Sequence, residues 1–206
     1  MDGDLRPLAM FPLSTVLFPG AGLGLHVFEE RYRALVADCL AGDRSFGVVL
    51  IARGSEVGGG DERVAVGTLA TLEVARPLPD GRWDLLARGG GRLRVRAWLG
   101  EEPYPRAEVC DLAEEAVPAG EALERAEASV RRVRALLSEL GRGPGLPAGP
   151  LGSDPGELSW RLCAEAPLGP HDRQRLLEAD APARLALLVA LVDAVGRDVT
   201  RLLSGG

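Results

Sequence analysis

The chain has 206 residues, of which 46% are hydrophobic and 26% are charged, and its formal net charge is −6. A chain of this length and composition buries a substantial core, which excludes a disordered protein, and its negative charge argues against a nucleic-acid backbone as the main partner. The longest apolar runs, 46–52 and 185–192, are far shorter than the ~20 residues of a membrane-spanning helix.

Every one of the 24 basic residues is arginine. A Walker A nucleotide loop, a Ser-Lys catalytic dyad and a Schiff-base enzyme each require a lysine at a defined position. Arginine cannot replace it, because the guanidinium group does not deprotonate. The sequence therefore excludes these three kinds of site from the chain.

The three cysteines, Cys39, Cys110 and Cys163, lie far apart and are odd in number. Such a set predicts neither a disulfide framework nor a paired zinc signature, and it is typical of a reducing compartment. The first residues, Met-Asp-Gly-Asp, are acidic and have no signal-peptide features. We therefore expect a cytoplasmic protein that uses no metal and no cofactor.

The chain begins with two or three short extended segments between residues 8 and 27, which are interrupted by Phe18-Pro19-Gly20. Proline followed by glycine predicts a type II turn with a positive φ at Gly20. From Tyr32 to Leu40 the apolar residues recur at helical spacing, and Gly42 is predicted to end this helix at the C′ position. Glu29 and Glu30 are predicted to lie in its first turn, where their carboxylates interact favourably with the helix dipole. Glu29 is expected to pair with Arg33 four positions later.

The next segments predict an antiparallel sheet. Residues 46–52 are typical of a strand buried on both faces, and a flexible loop is expected at 54–62. Alternating residues from Val64 to Val74 lead through the turn Pro79-Asp80-Gly81 into a strand at 83–87. After three glycines, a further strand follows at 92–99, with Leu93, Val95, Ala97 and Leu99 on one face.

The second half of the chain is predicted to be helical. Apolar residues from Leu123 to Leu140 recur every three or four positions, and Gly141 ends that helix. Residues 141–155 are so rich in glycine and proline that we expect a flexible connection. Asp154 and Pro155 then begin a helix as N-cap and first residue, and shorter helical patterns start at Pro170 and Pro182.

Several blocks of the chain carry a family resemblance. They are "FPLSTVLFPG", "LHVFEERYRALVADCLAGDRSFGVVL" and "VGTLATLEVARPLPDGRWDLLARGGGRLRV", followed by "DPGELSWRLCAEAPL" and "RQRLLEADAPARLALL". In this order and spacing they resemble the amino-terminal substrate-binding domain of the Lon protease family. The resemblance covers nearly the whole chain, and it is to a short version found as a separate protein, without the ATPase and protease modules of full Lon.

The resemblance implies an α+β fold, in which a β-rich PUA-like pseudo-barrel at 1–117 precedes a small α-helical bundle at 118–206. It also implies a non-catalytic protein that binds unfolded or exposed segments of client proteins, with or without a protease supplied in trans. Membrane and cofactor binding are not expected. Nucleic-acid binding is less favoured than protein binding.

The candidate protein-binding residues lie in the first strands, because residues 11–28 hold more apolar side chains than short strands beside turns easily bury. An exposed apolar patch beside a sheet edge is typical of a site that accepts an extended peptide. The candidates are Phe11, Leu13, Phe18, Pro19, Leu23 and Phe28.

An RNA-binding site is the alternative hypothesis. Its candidates are Arg88, Arg92, Arg94 and Arg96. Three of them alternate along one strand and so share one face, and together with Arg82 they would form a positive stripe. A solvated sheet face explains the same pattern, with Asp84, Glu101 and Glu102 as partners. The 4% aromatic content leaves few rings on which bases could stack.

Other sites are less favoured by the sequence. Gly20, Gly22 and Gly24 lack the last glycine of a dinucleotide-binding fingerprint and precede no parallel βαβ unit. His26 is interpreted as a packed core residue, and Cys39 as a buried side chain on the apolar helix face and not a nucleophile.

Overall fold

The computed structural model describes residues 4–54, 62–117, 119–141 and 154–204, so most of the predicted loop at 54–62 and connection at 141–155 lies outside it. The chain divides into two compact units, Met1–Glu114 and Glu115–Gly206. The elements of the first unit are β1 (Arg6–Leu13), β2 (Gly22–Val27), α1 (Glu30–Ala41), β3 (Ser45–Arg53), β4 (Glu62–Pro77), β5 (Trp83–Gly100) and β6 (Arg106–Asp111).

The strands form one mixed sheet in the order β2-β5-β4-β3-β1-β6. β1 and β3 are parallel, with Met10 opposite Gly47, and the other pairs are antiparallel. The carboxyl-terminal half of β5 also pairs with β6, where Val95 lies opposite Val109. This last pairing closes the sheet into a barrel and leaves β2 attached to the outside of β5. The predicted α+β class and β-rich barrel are confirmed.

The sequence pattern predicted that the three glycines at 89–91 separate two strands. This prediction is wrong, because β5 runs through them without interruption. A Cβ on Gly89 would overlap the carbonyl oxygen of Phe18, and a Cβ on Gly67 in β4 would overlap that of Val48. These glycines let backbones approach closely where the barrel bends.

The main core of the β unit lies between the sheet and α1. Phe11 stacks on Tyr32 with ring centroids 4.0 Å apart, and Phe46 packs beside them. The helix face predicted from residue spacing is confirmed, since Tyr32, Leu35, Val36 and Cys39 are its buried residues. Burial of these side chains fixes α1 against the barrel.

The turn at Gly20 is confirmed: φ is +75°, and Ala21 N–H donates to the carbonyl oxygen of Phe18 at 3.1 Å. The ends of α1 differ from the prediction. Glu29 is the N-cap residue and its carboxylate pairs with Arg31 at 3.0 Å, not with Arg33. Gly42 is the C-cap with φ of −111°, so it is not the left-handed residue.

The second unit consists of helices α2 (Glu121–Glu139), α3 (Pro155–Glu165), α4 (Pro170–Glu178) and α5 (Ala181–Ser204). Asp154 caps α3 by accepting a hydrogen bond from Glu157 N–H at 2.8 Å, as predicted. The guanidinium of the buried Arg184 lies 3.5 Å from the ring centroid of Trp160. Within the described ranges, no helix combines the length and the hydropathy that crossing a bilayer requires.

Candidate functional site

The structure corrects half of the predicted apolar patch. Phe11, Leu13 and Phe18 are buried, at 7%, 4% and 0% exposure. Phe11 and Leu13 belong to the core beneath α1. Phe18 is buried because its segment lies against the barrel, where Thr68 Oγ donates to the carbonyl oxygen of Leu17 at 2.6 Å. Pro19 and Leu23 are half-buried.

Phe28 remains at the surface, and it lies at the mouth of a pocket of about 170 Å³ between β2, β1 and the start of α1. Its side chain is 54% exposed. Parts of Phe11, Leu13 and Tyr32 line this pocket together with Leu25. Two of the buried candidates therefore contribute to the walls of a small pocket, which His26 and Glu29 also line, and not to a flat patch.

β2 is the end strand of the sheet and, among the described residues, pairs with β5 alone. Gly89 N–H of β5 donates to the carbonyl oxygen of Ala21 at 2.9 Å, and the register continues unbroken to Val27. Because bonded and non-bonded pairs alternate in an antiparallel ladder, the backbone groups of Gly22, Gly24 and His26 point away from β5. Two of these three residues have no side chain to shield that free edge.

Two exposed apolar side chains stand next to the glycines on the outer face of the sheet. Leu86 of β5 lies opposite Gly24 and is 42% exposed, and Val74 of β4 lies opposite Leu86 and is 51% exposed. The alternation from Leu72 to Val74 predicted that both residues face the same side. A register shift between them turns Val74 outward, so sequence spacing could not identify it.

His26 is not a core residue, as had been predicted, because its side chain points to solvent from the same outer face. Its Nδ1 lies 2.9 Å from Asp84, whose second oxygen accepts a hydrogen bond from Arg76 at 2.6 Å. These bonds, with Arg76 as the larger cause, lower the pKa of the Asp84 carboxyl. The carboxylate is thus held by two partners at the end of the sheet.

The arginines of β5 do not form one open basic stripe. Arg88 is exposed and pairs with Glu73 at 2.5 Å, whereas Arg92 is buried and lies 3.0 Å from Glu114. Arg94 is half-buried, and Nε of Arg96 lies 3.3 Å from Cys110 Sγ. Of the carboxylates expected to neutralise this face, Asp84 pairs with Arg76 and Glu101 with Arg63. Arg82 pairs with Asp80.

The geometry favours no catalytic centre at the cysteines. Cys39, Cys110 and Cys163 are buried thiols and not disulfides. Burial raises the pKa of the Cys39 thiol to about 11, so this thiol stays protonated at neutral pH. Burial, followed by the hydrogen bond to Asp38, raises the pKa of Tyr104 to about 12. No group of three metal-binding side chains occurs within the part of the chain that the structure describes.

Comparison with known proteins agrees with this architecture. The family model described as the substrate-binding domain of ATP-dependent protease La (LON) matches residues 7–194. The chain belongs to this family. It is 32% identical over 205 residues to Lon protease 2 of Sorangium cellulosum and 27% identical over 194 residues to Lon protease 2 of Myxococcus xanthus.

Solved structures of Lon amino-terminal domains share the fold. A Lon N-terminal domain protein from Xanthomonas campestris is 30% identical, with a TM-score of 0.65 over 90% of this chain and 98% of that one. The amino-terminal domain of the Mycobacterium avium complex Lon protease is 17% identical, with a TM-score of 0.62 over 91% and 98%. The chain spans only 25% and 23% of the length of the two curated relatives.

Proposed function

We propose that the chain is a non-catalytic recognition module that binds unfolded or exposed segments of client proteins and hands them to a protease supplied in trans. Its family is described as the substrate-binding domain of a protease. The single observation that carries the site is the free edge of β2 beside the pocket at Phe28. With three free, buried cysteines, the reducing cytoplasm is the proposed location.

The client segment binds as an additional strand. The outward backbone groups of Gly22, Gly24 and His26 offer donors and acceptors to an extended peptide, and such pairing is independent of the peptide's side chains. Backbone recognition suits a protein whose clients share an unfolded state and no common sequence.

Apolar side chains of the client then bind on both faces of that strand. Alternate residues point to opposite sides, so one set reaches the pocket at Phe28 and the other reaches across Gly24 to Leu86. Folded proteins bury most residues of this kind, and burial of apolar area supplies the affinity. The site thus discriminates unfolded from folded chains.

RNA binding is the weaker candidate, because the arginines on which it depends are separated and partly paired with carboxylates. Binding through phosphates weakens steeply with added salt, whereas apolar capture changes little. Titrations at low and high salt distinguish the two functions.

The decisive experiment measures binding of a carboxymethylated, permanently unfolded model protein to Gly24→Pro. Proline removes an N–H that points to the free edge, so the β2–β5 ladder is retained and thermal unfolding changes little. We expect binding to weaken about two- to tenfold, as for one lost hydrogen bond. Gly24→Ala keeps the N–H and serves as the matched control.

Phe28→Ser should also weaken binding, whereas exchange of Arg88, Arg94 and Arg96 for serine should not. Equal binding by Gly24→Pro and Gly24→Ala, with both variants folded, would refute the added-strand site. Loss of binding in the arginine variant alone would transfer the function to the β5 surface.

A further inference from the structure

The helical unit contains a second surface, formed by α2 and α5. The two helices run side by side in the same direction: Arg132 of α2 donates to Asp193 of α5 at 2.6 Å, and Val133 lies against Gly196. On one side of this pair are two adjoining depressions of about 520 Å³ and about 470 Å³. They share Asp193 and Arg197, and so form one continuous groove, the α2/α5 groove.

The floor of the α2/α5 groove is apolar. Leu185 and Val189 of α5 lie almost fully buried at its base, and the exposed apolar surface above them is formed by Ala122, Ala186 and Ala190, whose side chains are short. From Pro182 to Arg201 the α5 side is roughly 29 Å long at about 1.5 Å per residue. A helix of four to five turns therefore matches the groove in length.

The rims of the groove are basic, in a chain whose net charge is −6. Arg125, Arg132, Arg197 and Arg201 line it; Arg132 pairs with Asp193, which is also in the lining, and Arg201 pairs with Asp198. Arg125 and Arg197 are exposed, and within the described residues neither forms an ion pair. The charge that complements this surface is negative.

The two helices that form the walls of the groove favour a helical ligand over an extended one. Both walls are helices whose mid-helix backbone groups bond internally, so an extended peptide would find few backbone partners there. A helix satisfies its own backbone and contributes only side chains. None of the groove-lining residues is aromatic, which disfavours single-stranded RNA because bases bind by stacking on rings.

We propose that the α2/α5 groove binds an amphipathic helix of a partner protein, with its apolar seam on the exposed Ala186 and Ala190 and its acidic side chains beside Arg125 and Arg197. This surface and this kind of ligand differ from the added strand at β2. The chain thereby has two separate protein-binding surfaces, one for extended segments and one for a folded acidic helix.

The test uses the full chain and a fluorescent synthetic peptide of about eighteen residues, with leucines at i, i+3, i+4 and i+7 and glutamates beside them. A second peptide has lysine in place of each glutamate. We expect fluorescence anisotropy to show binding of the acidic peptide at least about tenfold tighter than that of the basic one. Equal affinities would overturn the proposal.

Two double variants form a matched pair. Arg125→Glu with Arg197→Glu should weaken the acidic peptide at least about tenfold and strengthen the basic one. Arg131→Glu with Arg175→Glu makes the same change in net charge at exposed residues that do not line the groove, and should leave the affinity within about twofold. Equal losses in the two pairs would show a general charge effect and refute the groove.

Ala190→Trp fills the floor without a change in charge and should also abolish binding of the acidic peptide. Retained binding in this variant would contradict the groove as the site. An oligouridine that displaces the peptide and shows the same dependence on Arg125 and Arg197 would assign the groove to RNA. Self-association of the chain that Ala190→Trp abolishes would assign it to a second copy.

Discussion

Gly20 shows how one residue shapes the entry to the proposed client site. It adopts φ of +75° in the turn that brings the chain from the buried Phe18 to the free edge of β2. No atom outside its neighbours lies within 4 Å of the position a Cβ would take. Glycine is therefore required by backbone conformation and not by lack of space.

We predict that Gly20→Val lowers the free energy of unfolding by about 1–3 kcal/mol, because a β-branched side chain is strained at positive φ. Gly91→Val is the matched control: that position is also open, but it lies in β5 and needs no positive φ. Urea unfolding of both variants provides the comparison. An equal change in the two would mean that strain at Gly20 is not the cause.

At the scale of elements, β5 determines the architecture of the β unit. Its first half pairs with β2 and β4, and its second half crosses to β6, so one strand of 18 residues both closes the barrel and holds β2, whose edge is the proposed client site. The path of β5 depends on glycine at position 89, because the carbonyl oxygen of Phe18 lies so close to it that a Cβ would overlap this oxygen. The burial of Phe18 and the position of β2 thus have the same cause.

Gly89→Ala should destabilise the chain by an amount at the upper end of about 1–3 kcal/mol, because the added methyl group overlaps backbone and not a movable side chain. The barrel must open locally, so the variant should also bind the unfolded model protein less well. Gly91→Ala, two residues further along the same strand, should do neither. Thermal unfolding indistinguishable between the two variants would contradict the close approach at Gly89.

The whole molecule combines two compact units, each with a proposed recognition surface, and has no lysine in its 206 residues. The curated relatives are proteases about four times as long, and the chain aligns with 25% or less of each of the two compared above. The chain lacks the amine that a nucleotide loop or a Ser-Lys dyad needs, so the proposed recognition does not depend on either of these sites within it.

The purified chain is expected neither to hydrolyse ATP nor to cleave casein. Phosphate release and the appearance of acid-soluble peptides are the two measurements. A preparation repurified to constant specific activity excludes a contaminating protease as the source of any signal. Turnover that persists under those conditions would show chemistry that does not depend on lysine.

Much of the local structure could be predicted from the sequence. The α1 face at Tyr32, the turn at Gly20 and the cap at Asp154 depend on residues within about four positions of one another, where backbone sterics and helical spacing decide the outcome. The α+β class and the family resemblance follow from the order of such local signals along the chain.

The binding surfaces depended on tertiary structure. Phe18 and Phe28 are chemically alike and ten positions apart, yet the first is fully buried, with its backbone against Gly89 of β5, and the second is exposed. A register shift in β4 turns Val74 outward, and Glu114 neutralises Arg92 from 22 positions away. The sequence by itself determined which segments form strands and helices, because those choices are short-range. Only the tertiary structure decided which side chains reach solvent, because exposure depends on what distant segments pack against them.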